Sequence, residues 1–155
     1  AMTNLRSSVA VLGLLVGLVA VPTAPAQATI GGAYAAAAFK ATNKQRTQRD
    51  LRTLRQSNCL QQFATRQAKK LARDQDWKLP HQSLPAIKDA CHLSEAGENL
   101  AFGFPTGRSV VNRGWMPSAG HRANILSTRF RLMAIGAQKG NDGLWYVSQV
   151  FGRKS

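Results

Sequence analysis

Acidic residues are scarce in this chain of 155 residues. Seven Asp and Glu stand against 21 Lys and Arg, which gives a formal net charge of +14. Such a surplus predicts attraction to polyanions such as acidic cell-wall polymers, glycans or anionic lipids. No DNA- or RNA-binding motif accompanies the charge, so nucleic acid is the least expected partner. The basic residues between Lys40 and Arg73 follow helical spacing, which favours solvated helix faces over one dedicated site.

The chain also lacks an apolar run long enough to span a membrane. Residues 9–21 form an apolar run of thirteen residues, whereas a transmembrane helix needs about 20. A cationic start at residues 2–6 precedes this run, and Ala26-Gln27-Ala28 follows it as a small-x-small cleavage site. This layout is typical of a secretory signal peptide. We therefore predict that residues 1–28 are a signal, with Ala1 as a possible cloning residue, and that the protein is extracellular and not transmembrane.

Cysteine is limited to Cys59 and Cys91, and no CxxC pair is present. Their wide separation argues against a thiol-based metal or redox site. In an exported protein, two thiols usually close into a disulfide. We therefore predict a Cys59 to Cys91 bridge, whose loop closure would remove on the order of 3 to 4 kcal/mol of unfolded-chain entropy.

The length that remains after the signal suffices for one domain with its own core, and not for two. Residues 29–38 are rich in Gly and Ala, and we expect them to be a flexible lead-in. Residues 39–155 are then predicted to form a single domain, which we expect to be monomeric. No internal repeat or low-complexity segment is present.

Helical signals dominate the first two thirds of this domain. A first helix is predicted from Phe39 to about Asp50. A second, capped by Asn58, shows an apolar face that repeats at three and four residues from Leu60 to Ala72. Pro80 lies beyond the end of that helix, and His81 follows it. A short third helix carrying Glu98 is predicted at residues 94–103, a fourth at 109–115, and a turn at 117–120.

Strand signals come last in the sequence. Residues 132–138 and 144–151 have strand composition, and the turn residues Gly140-Asn141-Asp142-Gly143 lie between them. This pattern predicts a β-hairpin. Helices followed by a hairpin within one small domain indicate an α+β fold.

Two motifs identify a family that the chain resembles. They are Gly97-Glu98-Asn99 and the segment Trp115-Met116-Pro117-Ser118-Ala119-Gly120-His121-Arg122-Ala123-Asn124-Ile125-Leu126. Both resemble the signature of the CAP superfamily, which groups cysteine-rich secretory proteins, antigen-5 proteins and pathogenesis-related type 1 proteins, and in particular its bacterial SCP-like extracellular branch. The resemblance implies an α-β-α sandwich with about four helices around a small three-stranded antiparallel sheet.

The resemblance also implies a site. In many CAP proteins two histidines and two acidic residues meet in a central cleft, and here His81, Glu98 and His121 fall on three of those positions. The fourth falls on Ser118, so the set is incomplete. Two neutral imidazoles and a carboxylate could bind a divalent metal such as zinc. Three arginines close in sequence to these motifs are candidate rim residues: Arg108, Arg113 and Arg122.

Each site residue also has a purely structural interpretation. His81 follows a proline, as many surface loop residues do, and His121 could cap the turn that follows it. Glu98 would lie in the first turn of the predicted helix, where unsatisfied N–H groups favour a carboxylate in any case. His92 matches no family ligand.

The leading functional hypothesis is a secreted protein that binds an anionic or metal-containing ligand in a basic cleft. One alternative is an extracellular antioxidant protein that binds a haem-like cofactor, with carboxylates on Arg or Lys and iron on an imidazole. Another is an electrostatic wall- or glycan-binding protein with a vestigial cleft. A hydrolase or an oxidant-scavenging enzyme is less expected, because no Gly-x-Ser-x-Gly elbow is present and both cysteines are assigned to the bridge.

Overall fold

The computed structural model describes residues 30–155, so the predicted signal peptide lies outside the described residues. Four α-helices and an α-helical turn lie among these residues, and the turn continues into a π-helix. The helices are α1 (Ile30–Thr47), α2 (Asn58–Asp74), α3 (Leu84–Cys91), α4 (Gly107–Ser109), the π-helix Val110–Trp115 and α5 (Ala119–Leu126). The strands are β1 (Arg55–Gln56), β2 (Leu93–Phe102), β3 (Leu132–Lys139) and β4 (Trp145–Lys154).

The strands form one sheet in the order β1-β3-β4-β2. Strands β3 and β4 form the predicted antiparallel hairpin. Strand β2 also pairs antiparallel with β4. The two-residue strand β1 adds a fourth, parallel member, because Arg55 and Gln56 pair with Leu132 and Met133. Strand β2 therefore lies at one edge of the sheet.

Helices cover both faces of this sheet, which gives the predicted α-β-α sandwich. On one face, residues of α1 and the π-helix, such as Ala38 and Trp115, pack against Met133 of β3. On the other face, Leu60 of α2 and Ile87 of α3 pack against Ala134 of β3. Because side chains alternate along a strand, neighbouring residues of β3 serve different layers of the core.

The Gly/Ala-rich segment expected to be a flexible lead-in at residues 29–38 is helical where the structure describes it. Residues 30–38 form the first half of α1, in which Tyr34 and Ala38 are buried. A Cβ atom on Gly31 would lie 2.6 Å from the carbonyl oxygen of Ala137 on β3. The residues are small because the helix backbone packs directly against the sheet, and composition alone does not distinguish this from flexibility.

The helix predicted at residues 94–103 is strand β2, and the helix that precedes it, α3, was not predicted. Residues 97–101 are all buried, so the strand lacks the alternation of polar and apolar residues that marks a half-exposed strand. Helix α3 begins where the Ser83 hydroxyl accepts a hydrogen bond from the Ala86 amide. Pro85 lies in its first turn, where a missing N–H costs nothing.

Helix α2 and the disulfide agree with the sequence predictions, except that the N-cap is Ser57 and not Asn58. The Ser57 hydroxyl accepts a hydrogen bond from the amide of Leu60. Cys59 and Cys91 are bonded, with 5.8 Å between their Cα atoms. The bridge joins the first turn of α2 to the last residue of α3.

Close contact between α2 and β3 predicts that replacing Gly136 of β3 by alanine destabilises the protein. A Cβ on Gly136 would lie 2.1 Å from the backbone oxygen of Ala64, and that backbone cannot move without displacing α2. We expect Gly136→Ala to lower the free energy of unfolding by about 1–3 kcal/mol. Urea denaturation measures this change.

The matched control is Gly120→Ala, because a Cβ on Gly120 meets nothing within 4 Å. Replacing a helical glycine by alanine there should stabilise the protein by about 0.5–1 kcal/mol. Equal effects of the two substitutions would contradict the close packing of α2 on β3.

Candidate functional site

Glu98 is the buried centre of the candidate site. It lies on the edge strand β2, and its side chain has no exposed surface. One carboxylate oxygen accepts hydrogen bonds from His81 Nδ1 at 2.9 Å and from the Gln82 backbone amide at 3.0 Å. The other accepts from Gln82 Nε2 at 2.6 Å and from Ser148 Oγ at 3.0 Å. Four donors thus compensate the buried negative charge.

His81 is held in one orientation by this carboxylate. It lies in the segment between α2 and α3, and its side chain is 58% exposed. An ionised carboxylate only accepts hydrogen bonds, so the bonded Nδ1 carries a proton. Nε2 has no hydrogen-bond partner among the described residues. On the N-terminal side, Gln67 Nε2 donates to the carbonyl of Pro80 at 2.6 Å and fixes the backbone just before His81.

His121 lies in the first turn of α5 and is half-buried. Burial, and to a lesser extent the charge of His81, lowers the pKa of His121 below its ordinary value. Its ring is therefore neutral near pH 7, and it lies close enough to His81 for their charges to interact. Within the described residues its Nδ1 is buried and has no hydrogen-bond partner. A buried N–H group without a partner is rarer in proteins than a buried acceptor without one. The unpaired Nδ1 of His121 therefore favours the tautomer with the proton on Nε2.

A network of amide side chains attaches α5 to the sheet. Asn99 Nδ2 donates to the carbonyl of His121 at 3.1 Å and to Gln149 Oε1 at 3.0 Å. Asn124 Nδ2 donates to Asn99 Oδ1 at 2.9 Å and to the carbonyl of Glu98 at 3.3 Å. The backbone that carries His121 is thereby fixed to the same strand that holds His81.

Consecutive residues of β2 organise the two halves of the site. Glu98 bonds Ser148 and the segment before α3, while Asn99 bonds α5 and Gln149. Side chains that follow one another in a strand point to opposite faces of the sheet. The charge of His81, held by the first half, contributes to the lowered pKa of His121 in the second.

By the family resemblance, Ser118 is expected at the position of a second glutamate. It is the N-cap of α5, yet its side chain makes no capping hydrogen bond. Glu98 is thus the one acidic side chain among the site residues. A serine nucleophile needs a base within hydrogen-bonding reach, and among residues 30–155 the Ser118 hydroxyl has no such partner.

The three predicted rim arginines have different surroundings. Arg122 Nη1 donates to the carbonyl of Met116 at 2.8 Å, so it stabilises the turn before His121. Arg113 is exposed on the π-helix. Arg108 instead lines a separate groove with Lys40 and Lys44 of α1.

The arrangement of His81, Glu98 and His121 does not fit a metal centre. Among residues 30–155, no three His, Cys, Asp or Glu side chains are grouped so that they could hold a metal ion. Both oxygens of Glu98 already accept two hydrogen bonds each. A histidine that binds a metal usually donates its other N–H to an acceptor, and Nδ1 of His121 has none in the described part of the chain.

Sequence reasoning missed three residues that build the site: Gln67, Gln82 and Ser148. Gln82 follows His81 directly and could have been suspected from that position. Gln67 fell among the apolar positions of α2, and Ser148 lies in the middle of a strand. Neither carries a local signal of its role.

Two layers of helices around a small mixed sheet, with a disulfide and a buried glutamate at the sheet edge, define an α-β-α sandwich domain. Among the helices of residues 30–155, none is both long and apolar enough to cross a membrane. The profile of the cysteine-rich secretory protein family (CAP) matches residues 39–151. The chain belongs to this family.

Solved structures of bacterial proteins share the fold. An outer surface protein from Borrelia burgdorferi is 20% identical with a TM-score of 0.66, over 76% of this chain and 90% of that one. An extracellular protein containing a SCP domain from Bacillus anthracis is 24% identical with a TM-score of 0.67, over 87% and 45%. A cysteine-rich secretory protein from Staphylococcus aureus is 18% identical with a TM-score of 0.66, over 84% and 41%.

The chain thus spans less than half the length of the second and third of these proteins. At these identities the likeness establishes the fold, and no role for individual residues. A search of curated proteins found no match.

The buried carboxylate predicts a large difference between two glutamates of β2. Glu98→Gln places an amide N–H against groups that are themselves donors, so at least one buried donor loses its acceptor. We expect the free energy of unfolding to fall by about 1–3 kcal/mol. Glu95→Gln is the control, because Glu95 forms a partly exposed pair with Arg129 and should change stability by less than about 1 kcal/mol. Thermal unfolding monitored by circular dichroism tests this difference.

The lowered pKa of His121 predicts a loss of stability in mild acid. As the pH falls below 6.5, the ordinary value, the unfolded chain takes up a proton on His121 before the folded protein does. The unfolded state then binds more protons, so the free energy of unfolding decreases with falling pH. His121→Asn should make the Tm less dependent on pH between about 7.5 and 5 than in the parent.

The exposed His92 supplies the control for this titration. Its backbone is left-handed, with φ of 52°, a conformation that asparagine tolerates. His92→Asn should therefore leave the pH dependence of the Tm unchanged. An equal flattening in both variants would contradict the assignment to His121.

Proposed function

We propose that this chain is an extracellular binding protein that holds an anionic ligand at His81 and His121. The observation that carries the proposal is the buried Glu98 carboxylate with its four donors. This arrangement makes Glu98 a group that positions His81, and it leaves the two imidazoles as the groups that meet the ligand.

The charges around the site favour an anion over a cation. Glu98 is the single acid at the site, and its charge is buried and compensated by hydrogen bonds. Arg122 lies next to His121 in α5 and has no acidic partner among the described residues. The chain as a whole is strongly basic, and such a surface concentrates anions.

The two imidazoles supply complementary groups. With its proton on Nε2, His121 is a hydrogen-bond donor to an acceptor oxygen. His81 presents Nε2, which accepts a hydrogen bond when the ring is neutral and donates one when it is protonated. A carboxylate or an acidic sugar, which combines acceptor oxygens with hydroxyl groups, satisfies both rings.

The extracellular location rests on the predicted signal and on the relatives. One similar structure is described as an outer surface protein and another as an extracellular protein. Both descriptions are of those proteins, and they support the same location for this chain.

Titration calorimetry with an oligogalacturonate, at low and moderate salt, tests the proposal. We expect His81→Ala and His121→Ala each to weaken binding by about tenfold, which corresponds to about 1.4 kcal/mol. His92→Ala, an exposed histidine outside the site, should bind like the parent.

Two further probes distinguish the alternatives. Zinc binding that needs both histidines would replace the anion with a metal, and a Soret shift on adding hemin would favour a haem-like cofactor. Binding that disappears at moderate salt and ignores both substitutions would assign the function to the basic surface.

A further inference from the structure

A second groove lies between α1 and the α4 to π-helix segment, and its lining carries positive charge without any acid. Its volume is about 460 Å³. Three cationic side chains line it, Lys40 and Lys44 from α1 and Arg108 from α4. Ala37, Ala41, Gln45, Gln48 and Asn112 complete the lining. We propose that this groove is a binding site for a phosphate group.

Tertiary structure creates this concentration of charge. Lys40 and Lys44 are four residues apart on one helix and therefore share a face. Arg108 is distant in sequence and reaches them because α1 packs closely on α4, where a Cβ on Gly107 would lie 2.1 Å from the Tyr34 carbonyl. Within residues 30–155 none of the three cations forms an ion pair. No acidic side chain of the described residues offsets these charges, so an anion in the groove would meet three cations that have no other ionic partner.

Hydrogen bonds at the groove leave donors for a ligand. Arg49 Nη1 donates to Gln45 Oε1 at 2.8 Å, and Gln45 Nε2 donates to Asn112 Oδ1 at 2.9 Å. The second of these hydrogen bonds uses Oδ1 of Asn112 as its acceptor. Both N–H groups of the Asn112 amide remain unpaired among the described residues. Asn112 therefore adds a neutral donor to the three cations.

The number of donors indicates the chemical class of the ligand. A phosphate carries up to two negative charges and three or more acceptor oxygens, so it can use two cations and an amide together, with arginine suited to two-point contact. The groove is larger than a bare phosphate, and two alanines form an apolar part of its wall. A phosphate ester of a small polyol, either free or as a lipid headgroup, matches this combination.

This site is independent of the anion proposed for His81 and His121, because the two share no residue. The critical variant is Asn112→Asp, which places a carboxylate in the groove without changing the size of the side chain. Asn141→Asp is the matched control, since Asn141 is an exposed residue of the hairpin turn and undergoes the same chemical change. If only the overall charge of the protein attracted the phosphate, both variants would weaken binding equally. If the groove is a defined site, Asn112→Asp alone weakens binding strongly.

The experiment measures binding of glycerol 3-phosphate by calorimetry and of vesicles by sedimentation. The vesicles contain phosphatidylcholine alone or mixed equally with phosphatidylglycerol. We expect saturable binding that Asn112→Asp weakens by about tenfold and Asn141→Asp by less than about twofold. Binding of the soluble ester indicates a free phosphate ligand, and binding of the anionic vesicles alone indicates a lipid headgroup.

Absence of binding to both probes, or equal weakening by the two aspartate variants, would overturn the proposal. If Asn112→Asp lowers the Tm, the doubly substituted Lys44→Gln with Arg108→Gln replaces it, because both side chains are exposed. Its charge-matched control is Arg52→Gln with Arg153→Gln, two exposed arginines outside the groove. Phosphate binding that His121→Ala weakens and Asn112→Asp does not would assign the phosphate to the histidine site and overturn the proposal.

Discussion

Burial of one carboxylate in the edge strand β2 is the constraint on which the candidate site depends. A charge removed from water costs several kcal/mol unless it is fully hydrogen-bonded. The donors to Glu98 come from the segment before α3 and from Ser148 on β4. The positions of this segment and of two strands are therefore coupled, and His81 takes its orientation as part of the same network. From the sequence, Glu98 is expected to be a ligand-binding group. In the fold, its carboxylate orients the imidazole of His81.

The adjacent Asn99 has the corresponding role on the other face of the sheet. Its amide holds the backbone of His121 and contacts Gln149, whose own amide donates to Thr42 of α1. Two consecutive residues of one strand thus connect β2 with both helical layers. The two imidazoles that these residues position interact electrostatically, since the charge of His81 lowers the pKa of His121. Their wide separation in sequence has no bearing on this interaction.

The scarcity of acid has different consequences in different parts of the molecule. At α2, Asp74 pairs with Lys70 and Arg73, so part of the basic surface is compensated. Between α1 and α4, Lys40, Lys44 and Arg108 have no acidic partner among the described residues. At the histidine site the one acid is buried beneath its donors. Lys40 and Lys44 have the regular spacing of a solvated helix face, and the fold adds Arg108 from a distant part of the sequence to the same groove. Helical spacing of basic residues alone does not reveal such a groove.

The sequence by itself determined the family, the amphipathic helix α2, the β3 to β4 hairpin and the disulfide. Each has a local signal: an ordered motif, a helical period, turn residues between two strand segments, or a single possible thiol pair. Only the tertiary structure decided that residues 93–102 form a strand, that small residues at 30–38 form a packed helix, and that Ser148 and Gln82 hold Glu98. Burial on both faces removes the alternation that would reveal β2, and close backbone packing selects the same small residues that flexibility would. These outcomes depend on neighbours distant in sequence, and local patterns do not contain them.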